Sequence, residues 1–176
     1  MTTFDLIEAR EILVATPGSL EAQLSGLSQG WLSTDEGEGT WTPWQALAHL
    51  THVEENDWLG RIRTIVDHGP DEPLGPVDRE AGFERYAGWS IADVLGRFAE
   101  LRARNLDELD GLALGNTDLE RQGRHGEFGV VTLEQLLATW TVHDLNHHAQ
   151  IVKTLAKRYR DAIGPWRKYA NVVDLP

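Results

Sequence analysis

Three helix-start signals constrain the fold of this sequence more than any other feature. In each one, a serine or threonine is followed three residues later by a side chain that can accept a hydrogen bond from the backbone N–H of that serine or threonine. This is the capping-box pattern. The pairs are Thr42 with Gln45, Ser90 with Asp93, and Thr132 with Gln135. Apolar residues follow each pair at helical spacing, and no segment alternates between apolar and polar residues as a strand does. The sequence therefore predicts an all-α fold in which four main helices form a four-helix bundle.

The spacing of apolar residues and of helix-start signals predicts where each helix begins and ends, and two long loops lie between the predicted helices. Thr16 and Pro17 have the pattern of an N-cap followed by proline at the first helical position, so we predict that one short helix ends near Val14 and another begins at Pro17. The predicted helical segments span 4–14, 17–30, 42–68, 90–111 and 132–159. Residues 69–88 and the residues after Gly111 form irregular connections, and loops of such length cross between helices or cover a site.

Composition limits the classes of function that this chain can have. Its 176 residues predict one domain, residues 1–176, with a sizeable core. The formal charge of −12 argues against binding to nucleic acid or to an anionic membrane surface. No apolar run is long enough to cross a bilayer, and the first residues lack the basic start of a signal peptide, so we expect a cytoplasmic protein. Since the chain contains no cysteine, any transition-metal site must use histidine or carboxylate ligands.

The last predicted helix carries two histidines at metal-ligand spacing. His143 and His147 are four residues apart, which places them on one face of a helix with Cβ atoms about 5–6 Å apart. Both lie in the apolar stripe, whereas His148 lies about 140° from His143 at roughly 100° per residue. Two interpretations stay open: the pair shares a metal ion, or each imidazole is hydrogen-bonded within the core. His49 lies on a different predicted helix, and a bundle builds core metal sites from facing helices.

Several segments resemble one known family. They are WTPW at 41–44, AHL at 48–50 and WTVHDLNHHAQI at 140–151. Together they resemble the DinB/YfiT-like superfamily of metalloenzymes, and the similarity extends over nearly the whole chain. The resemblance implies a four-helix bundle with one divalent metal ion held by three histidines, matched here by His49, His143 and His147. It also implies a homodimer, and several branches of the family use thiol cofactors.

Other polar and aromatic residues are candidates for supporting roles. His52 competes with His49 or faces the substrate, and His125 lies over the metal or at the surface. His68 fits a helix C-terminus, where the dipole favours it. Three residues could accept the second N–H of an imidazole, and for the two acids the alternative is a solvated helix charge. They are Glu54, Asp144 and Gln150. Three tryptophans are core candidates, one of which could form the wall of a pocket: Trp44, Trp58 and Trp140.

These observations predict a metal-dependent enzyme that acts on a small molecule, either as a hydrolase or as a thiol-dependent transferase. Zinc is the expected metal, with nickel, iron or manganese as alternatives because histidine ligands discriminate poorly among them. No fourth protein ligand is apparent, since His148 points away and Glu54 and Glu55 lie off the His49 face. We therefore expect an open coordination position, as in catalytic sites. The alternative is a non-catalytic bundle that binds a metal or a small ligand.

Overall fold

The computed structural model describes residues 4–175 of the chain. Its helices are α1 (Leu6–Leu24), α2 (Gln29–Leu32), α3 (Pro43–Asn56), α4 (Trp58–His68), α5 (Ala81–Arg85), α6 (Ile91–Gly111), α7 (Asn116–Leu119) and α8 (Leu133–Lys157). Short 3₁₀ turns span Gly69–Asp71, Gly164–Tyr169 and Asn171–Asp174. The strands are β1 (Pro73–Leu74), β2 (Gln122–His125) and β3 (Gly129–Thr132). The first three residues, part of the argument against a signal peptide, lie outside the described residues.

Four long helical elements form the bundle, which confirms the predicted fold class. Helix α3 packs against α6 and α8, and α1 packs against the same two helices. All three predicted capping boxes form, so α3, α6 and α8 begin where the sequence predicts. The core has two clusters of buried side chains, one around Trp58 and Trp140 and the other around Leu47 and Phe98. No helix within residues 4–175 is both long and apolar enough to cross a membrane.

The first helix does not break at Pro17, so the prediction of two segments is wrong. Asp5 caps this helix by accepting from two backbone N–H groups, and α1 then continues to Leu24. Thr16 lies inside the helix, where its hydroxyl donates to the carbonyl of Ile12 rather than capping a new segment. The apolar stripe runs through the proline without interruption, and its burial against α6 and α8 outweighs the lost N–H.

The loss of the Pro17 N–H has a visible consequence. Any other residue at position 17 would have a backbone N–H that donates to the carbonyl of Leu13, four residues earlier. That carbonyl instead accepts from the guanidinium of Arg102 on α6, at 2.9 Å. The proline therefore provides a buried acceptor that links α1 to the polar centre of the bundle.

The predicted helix 42–68 is divided at Asp57, and this too corrects the sequence analysis. Helix α3 ends at Asn56, α4 begins at Trp58, and Asp57 between them has φ −116° and ψ −69°. The Asp57 N–H still donates to the carbonyl of Val53, so the chain changes direction without losing the backbone hydrogen bond. The periodicity of apolar residues persists through the break, and for this reason the sequence gives no sign of it.

A small sheet forms where the sequence analysis found no strands. β1 pairs in parallel with β2, and β2 pairs antiparallel with β3 as a hairpin. Strands of two to four residues are too short to show an alternating pattern, so periodicity could not reveal them. The sheet packs closely on α4, because a Cβ at Gly123 would lie 2.6 Å from Cγ1 of Ile65. The two predicted long loops thus meet beside one end of the bundle.

A Gly82→Ala substitution should destabilise the protein. An added Cβ would lie 2.4 Å from the carbonyl oxygen of Ala48, which is backbone of α3 and cannot move aside cheaply. We expect the free energy of unfolding to fall by about 1–3 kcal/mol, as for overpacked cores. The control is Gly96→Ala in α6, where nothing lies within 4 Å and the change should stabilise by up to about 1 kcal/mol. Urea denaturation curves measure both, and equal effects would contradict the close α5–α3 contact.

Candidate metal centre

Three histidines from two helices converge inside the bundle. His49 lies on α3, and His143 and His147 lie one turn apart on α8. One ring nitrogen from each lies within 4.8 Å of the others, and Nε2 of His49 is 3.2 Å from Nε2 of His143. His49 is 2% exposed and His147 is 4% exposed, whereas His143 is half-buried. The structure thus brings together the three residues that the sequence singled out.

Hydrogen bonds fix the orientation of two of these imidazoles. Nδ1 of His49 lies 2.8 Å from the backbone carbonyl of Arg79, and Nδ1 of His147 lies 2.7 Å from Oε1 of Gln150. Since an oxygen of either kind only accepts, each Nδ1 carries the proton and each Nε2 keeps a lone pair. The prediction that Gln150 orients an imidazole is confirmed. Both rings present an unprotonated nitrogen, the form in which histidine binds a metal.

Burial keeps the three rings neutral. It lowers the pKa of His49 to about 4, with a further contribution from His147. It lowers the pKa of His143 to about 2, again with contributions from the neighbouring imidazoles. The pKa of His147 is also lowered by burial. Near neutral pH none of these rings has to lose a proton before it can bind a cation.

The metal-free protein should lose stability as the pH falls from 7 to 5. The folded-state pKa of His49 lies below the ordinary value of 6.5, so in this range the unfolded chain binds protons that the folded chain does not. Stability is therefore complete above about pH 6.5 and decreases below it, by about 2–4 kcal/mol if His49 and His143 both contribute. Denaturation in the presence of a chelator measures this. His49→Gln should make the decrease smaller, because His143 still contributes, and His68→Gln should leave it as in the wild type. Constant wild-type stability between pH 7 and pH 5 would contradict the prediction.

A buried ionic network lies between the helices that carry the histidines. The Arg102 guanidinium on α6 is 2% exposed and forms bidentate pairs with both Glu54 and Asp144, at 2.6–3.1 Å. With the bond to the Leu13 carbonyl, all five of its N–H groups have acceptors. Glu54 also accepts from Asn105 and Trp140. The network therefore ties α3 and α8 to α6 close to the cluster.

This network corrects the prediction for Glu54 and Asp144. Both were candidates to accept an imidazole N–H, with solvated helix charges as the alternative. Each is instead buried and paired with Arg102, and neither hydrogen-bonds to a histidine of the cluster. The sequence analysis missed Arg102 because a long basic side chain on an amphipathic helix is usually solvated. Its position in the buried stripe of α6, between Phe98 and Asn105, was the available signal.

Two tryptophans pack directly on the histidine rings. Trp41 stacks on His147 with the centroids 5.9 Å apart, and it lies 4.9 Å from the ring of His49. Trp58 contacts the edge of His143 at 5.2 Å. It belongs to the core, as expected for the three candidate tryptophans, and it is also one that lines the adjoining cavity. The sequence analysis quoted Trp41 in a family motif but gave it no role. These aromatic rings therefore form part of the packing around the imidazoles.

A cavity of about 1210 Å³ opens beside the cluster. All three histidines line it, together with ionisable side chains from the break between α3 and α4, from α4, the β1–α5 connection, the hairpin and α8. These are Asp57, Arg61, Arg79, His125, Glu127 and Lys153. Asp57 forms a 2.5 Å ion pair with Arg61, and burial raises the pKa of the Asp57 carboxyl although Arg61 opposes this. The sequence analysis missed this pair, since acid and base four residues apart on a helix normally form a solvated surface pair.

Comparisons with known proteins identify the family and the fold. The profile described as the DinB superfamily matches residues 12–151. The chain belongs to the DinB superfamily. Its fold is similar to that of YfiT from Bacillus subtilis, described as a probable metal-dependent hydrolase with an unusual four-helix bundle topology, at 22% identity, a TM-score of 0.74 and coverage of 90% of this chain and 89% of that one. TT2238, a four-helix bundle protein, is similar at 23% identity and a TM-score of 0.55, with coverage of 81% and 94%. No functionally curated protein matches the sequence.

The remaining candidates of this DinB-superfamily chain lie outside the cluster. The ring of His52 lies 3.3 Å from Nδ2 of Asn56, and His148 on α8 does not join the three converging nitrogens. His125 lines the cavity from the hairpin, and its ring stacks on Phe128. His68 lies at the end of α4, 3.5 Å from Glu72. The predicted homodimer and the cytoplasmic location stay predictions.

Proposed function

We propose that this chain is a metal-dependent hydrolase of small molecules, with one divalent ion held by His49, His143 and His147. The observation that carries the proposal is the convergence of three neutral imidazoles, two buried and one half-buried, at the wall of an open cavity. The similarity in fold to YfiT, described as a probable metal-dependent hydrolase, supports the same class of reaction. Zinc is the metal we expect, with nickel, iron or manganese as alternatives.

The residues fit such an ion. Two nitrogens that bind one zinc ion at about 2.0–2.1 Å lie roughly 3.3 Å apart, and the Nε2 atoms of His49 and His143 are separated by 3.2 Å. Within residues 4–175 the cluster contains no fourth histidine and no carboxylate. Three protein ligands and an adjoining cavity are the arrangement of a catalytic zinc site rather than a structural one. When bound, the ion would supply Lewis acidity, which polarises a substrate oxygen and makes water a stronger nucleophile.

The chain's own residues have distinct roles in this proposal. Gln150 and the Arg79 carbonyl hold two imidazoles in the orientation that presents Nε2. Trp58 forms an apolar wall of the cavity, which limits access of bulk water to the substrate. Asp57 is the candidate acid–base group, because it is the half-buried carboxylate of the cavity and Arg61 holds it in place. A general base takes a proton from the attacking water and returns it to the leaving group.

The experiment that tests the function compares variants on small esters and amides. Zinc-loaded wild-type protein should hydrolyse members of this panel, and His147→Ala should abolish the activity. Asp57→Asn should reduce kcat by about 100-fold or more, in the range attributed to general acid–base catalysis. Glu127→Gln is the matched control, since Glu127 is the exposed carboxylate of the same cavity. Activity found only with added thiols and electrophilic substrates would replace hydrolysis by thiol transfer, and no activity in either panel would favour a binding protein.

A further inference from the structure

Arg79 differs from nearly all other basic residues of the chain. Among the described residues, twelve of the 16 lysines and arginines form ion pairs with carboxylates. Arg124 and Arg158 instead donate to backbone carbonyls. Only Arg79 and Lys168 have neither kind of partner within residues 4–175, and each lies over an aromatic ring. In a chain with 28 acidic side chains, an arginine without an acidic partner is notable.

Contacts with the histidine cluster hold Arg79 in place. Its backbone carbonyl accepts from Nδ1 of His49, at 2.8 Å. Its guanidinium lies 5.3 Å from the centre of the Trp41 ring, and Trp41 in turn stacks on His147. A guanidinium on an aromatic face keeps its in-plane N–H donors available, and these match the two oxygens of a carboxylate or phosphate. Arg79 is exposed and lines the same cavity as the three histidines, so a ligand in the cavity can reach its donors.

The other charges of the cavity are largely paired. Asp57 forms an ion pair with Arg61, and Glu36 forms one with Lys153. Two acids adjoin Arg79 in sequence, Asp78 and Glu80, and neither forms an ion pair with it in the described part of the chain. Asp78 instead accepts from two backbone N–H groups of its own turn. Glu127 is the remaining acid of the cavity, and it lies exposed on the hairpin. Among the described lysines and arginines of the cavity, Arg79 is therefore the one whose guanidinium has neither a carboxylate nor a carbonyl partner.

We propose that the cavity binds substrates that carry an anionic oxygen group, and that Arg79 is the residue that recognises it. The proposal names the substrate class of the hydrolase proposed above and rests on it for the reaction, while anion binding by Arg79 does not depend on the metal. The recognised group is a carboxylate or a phosphate, since both accept two parallel N–H bonds from a guanidinium. The scissile bond would then lie on the side of the substrate nearer to the histidines.

The test is calorimetric titration of the full chain with benzoate, phenylphosphonate and the neutral analogue benzamide, with and without zinc. Wild-type protein should bind at least one of the two anions about ten-fold more tightly than benzamide, because hydrogen bonds to charged groups are the stronger ones. Arg79→Gln should remove this preference, so that neither anion binds more tightly than benzamide. Arg79→Lys should retain part of it, since lysine keeps the charge and loses the fork. Lys168→Gln is the control, as the other basic residue without a partner, away from the cavity.

The outcomes separate this proposal from that of the hydrolase. Loss of anion preference in Arg79→Gln supports it in either metal state, and the anion that binds more tightly identifies the substrate group. Anion binding that requires zinc and is unaffected by Arg79→Gln would overturn it, because the metal would then be the anion site. Equal binding of benzamide and both anions would also overturn it. Arg79-dependent binding in a protein that takes up no metal would refute the hydrolase and keep the anion site.

Discussion

A His147→Ala variant should bind zinc more than about 100-fold more weakly than the wild-type protein. Loss of a residue that only orients a metal ligand already costs about 10–100-fold in affinity, so loss of the ligand itself must cost more. The effect should be large because His147 is 4% exposed and its Nδ1 is already held by Gln150, which leaves Nε2 for the ion. Competition titration of untagged protein with a chromogenic chelator measures the affinity.

His148→Ala is the matched control for this experiment. It removes an adjacent histidine of the same helix that lies outside the three converging nitrogens, so zinc affinity should change by less than about three-fold. Equal losses in the two variants would show that the side of α8 assigned to the metal is wrong. Gln150→Ala should give an intermediate loss, of about 10–100-fold, since it removes the acceptor that fixes the His147 ring.

An Arg102→Met variant should lose about 3–5 kcal/mol in the free energy of unfolding. The substitution keeps much of the side-chain volume but leaves Glu54 and Asp144 buried without their shared cation, and removing one partner from a buried ion pair has this cost. It also leaves the Leu13 carbonyl, which Pro17 already deprives of its helical donor, without the Arg102 N–H. Guanidinium denaturation followed by circular dichroism measures the loss.

Two further variants test this explanation of the Arg102 effect. Arg104→Met lies on the same helix and removes an exposed partner of Glu108, 3.9 Å away, so it should change stability by less than about 1 kcal/mol. Adding Glu54→Gln and Asp144→Asn to Arg102→Met should recover part of the loss, because the uncompensated charges are then gone. A loss below about 1 kcal/mol for Arg102→Met alone would mean that the network contributes little to folding.

The bundle and the histidine cluster could be predicted because their signals are local. The hydroxyl of Thr132 and the side chain of Gln135 mark the start of α8, and the four-residue spacing of His143 and His147 places both rings on one face. The assignment of His49 needed the family resemblance, because one histidine on an apolar face is usually a core residue. The structure adds the distance between the two side chains, since Nε2 of His49 lies 3.2 Å from Nε2 of His143.

The cavity could not be predicted, because its residues come from segments without periodicity. Arg79 lies in the β1–α5 connection and His125 in a hairpin whose strands have four residues each. Asp57 occupies a break that the apolar pattern passes through unchanged. Pairing over long sequence distances, as between Arg102 and the two acids 42 and 48 residues away, has no signature in a single sequence.

Anomalous diffraction from crystals of untagged, zinc-loaded protein tests the central claim most directly. We predict one anomalous peak per chain, about 2.0–2.1 Å from a ring nitrogen of each of His49, His143 and His147, with no fourth protein ligand. The absence of a peak among these three rings would contradict it. A peak there with a fourth side chain in the coordination sphere would contradict the reactive, open site on which the proposed function depends.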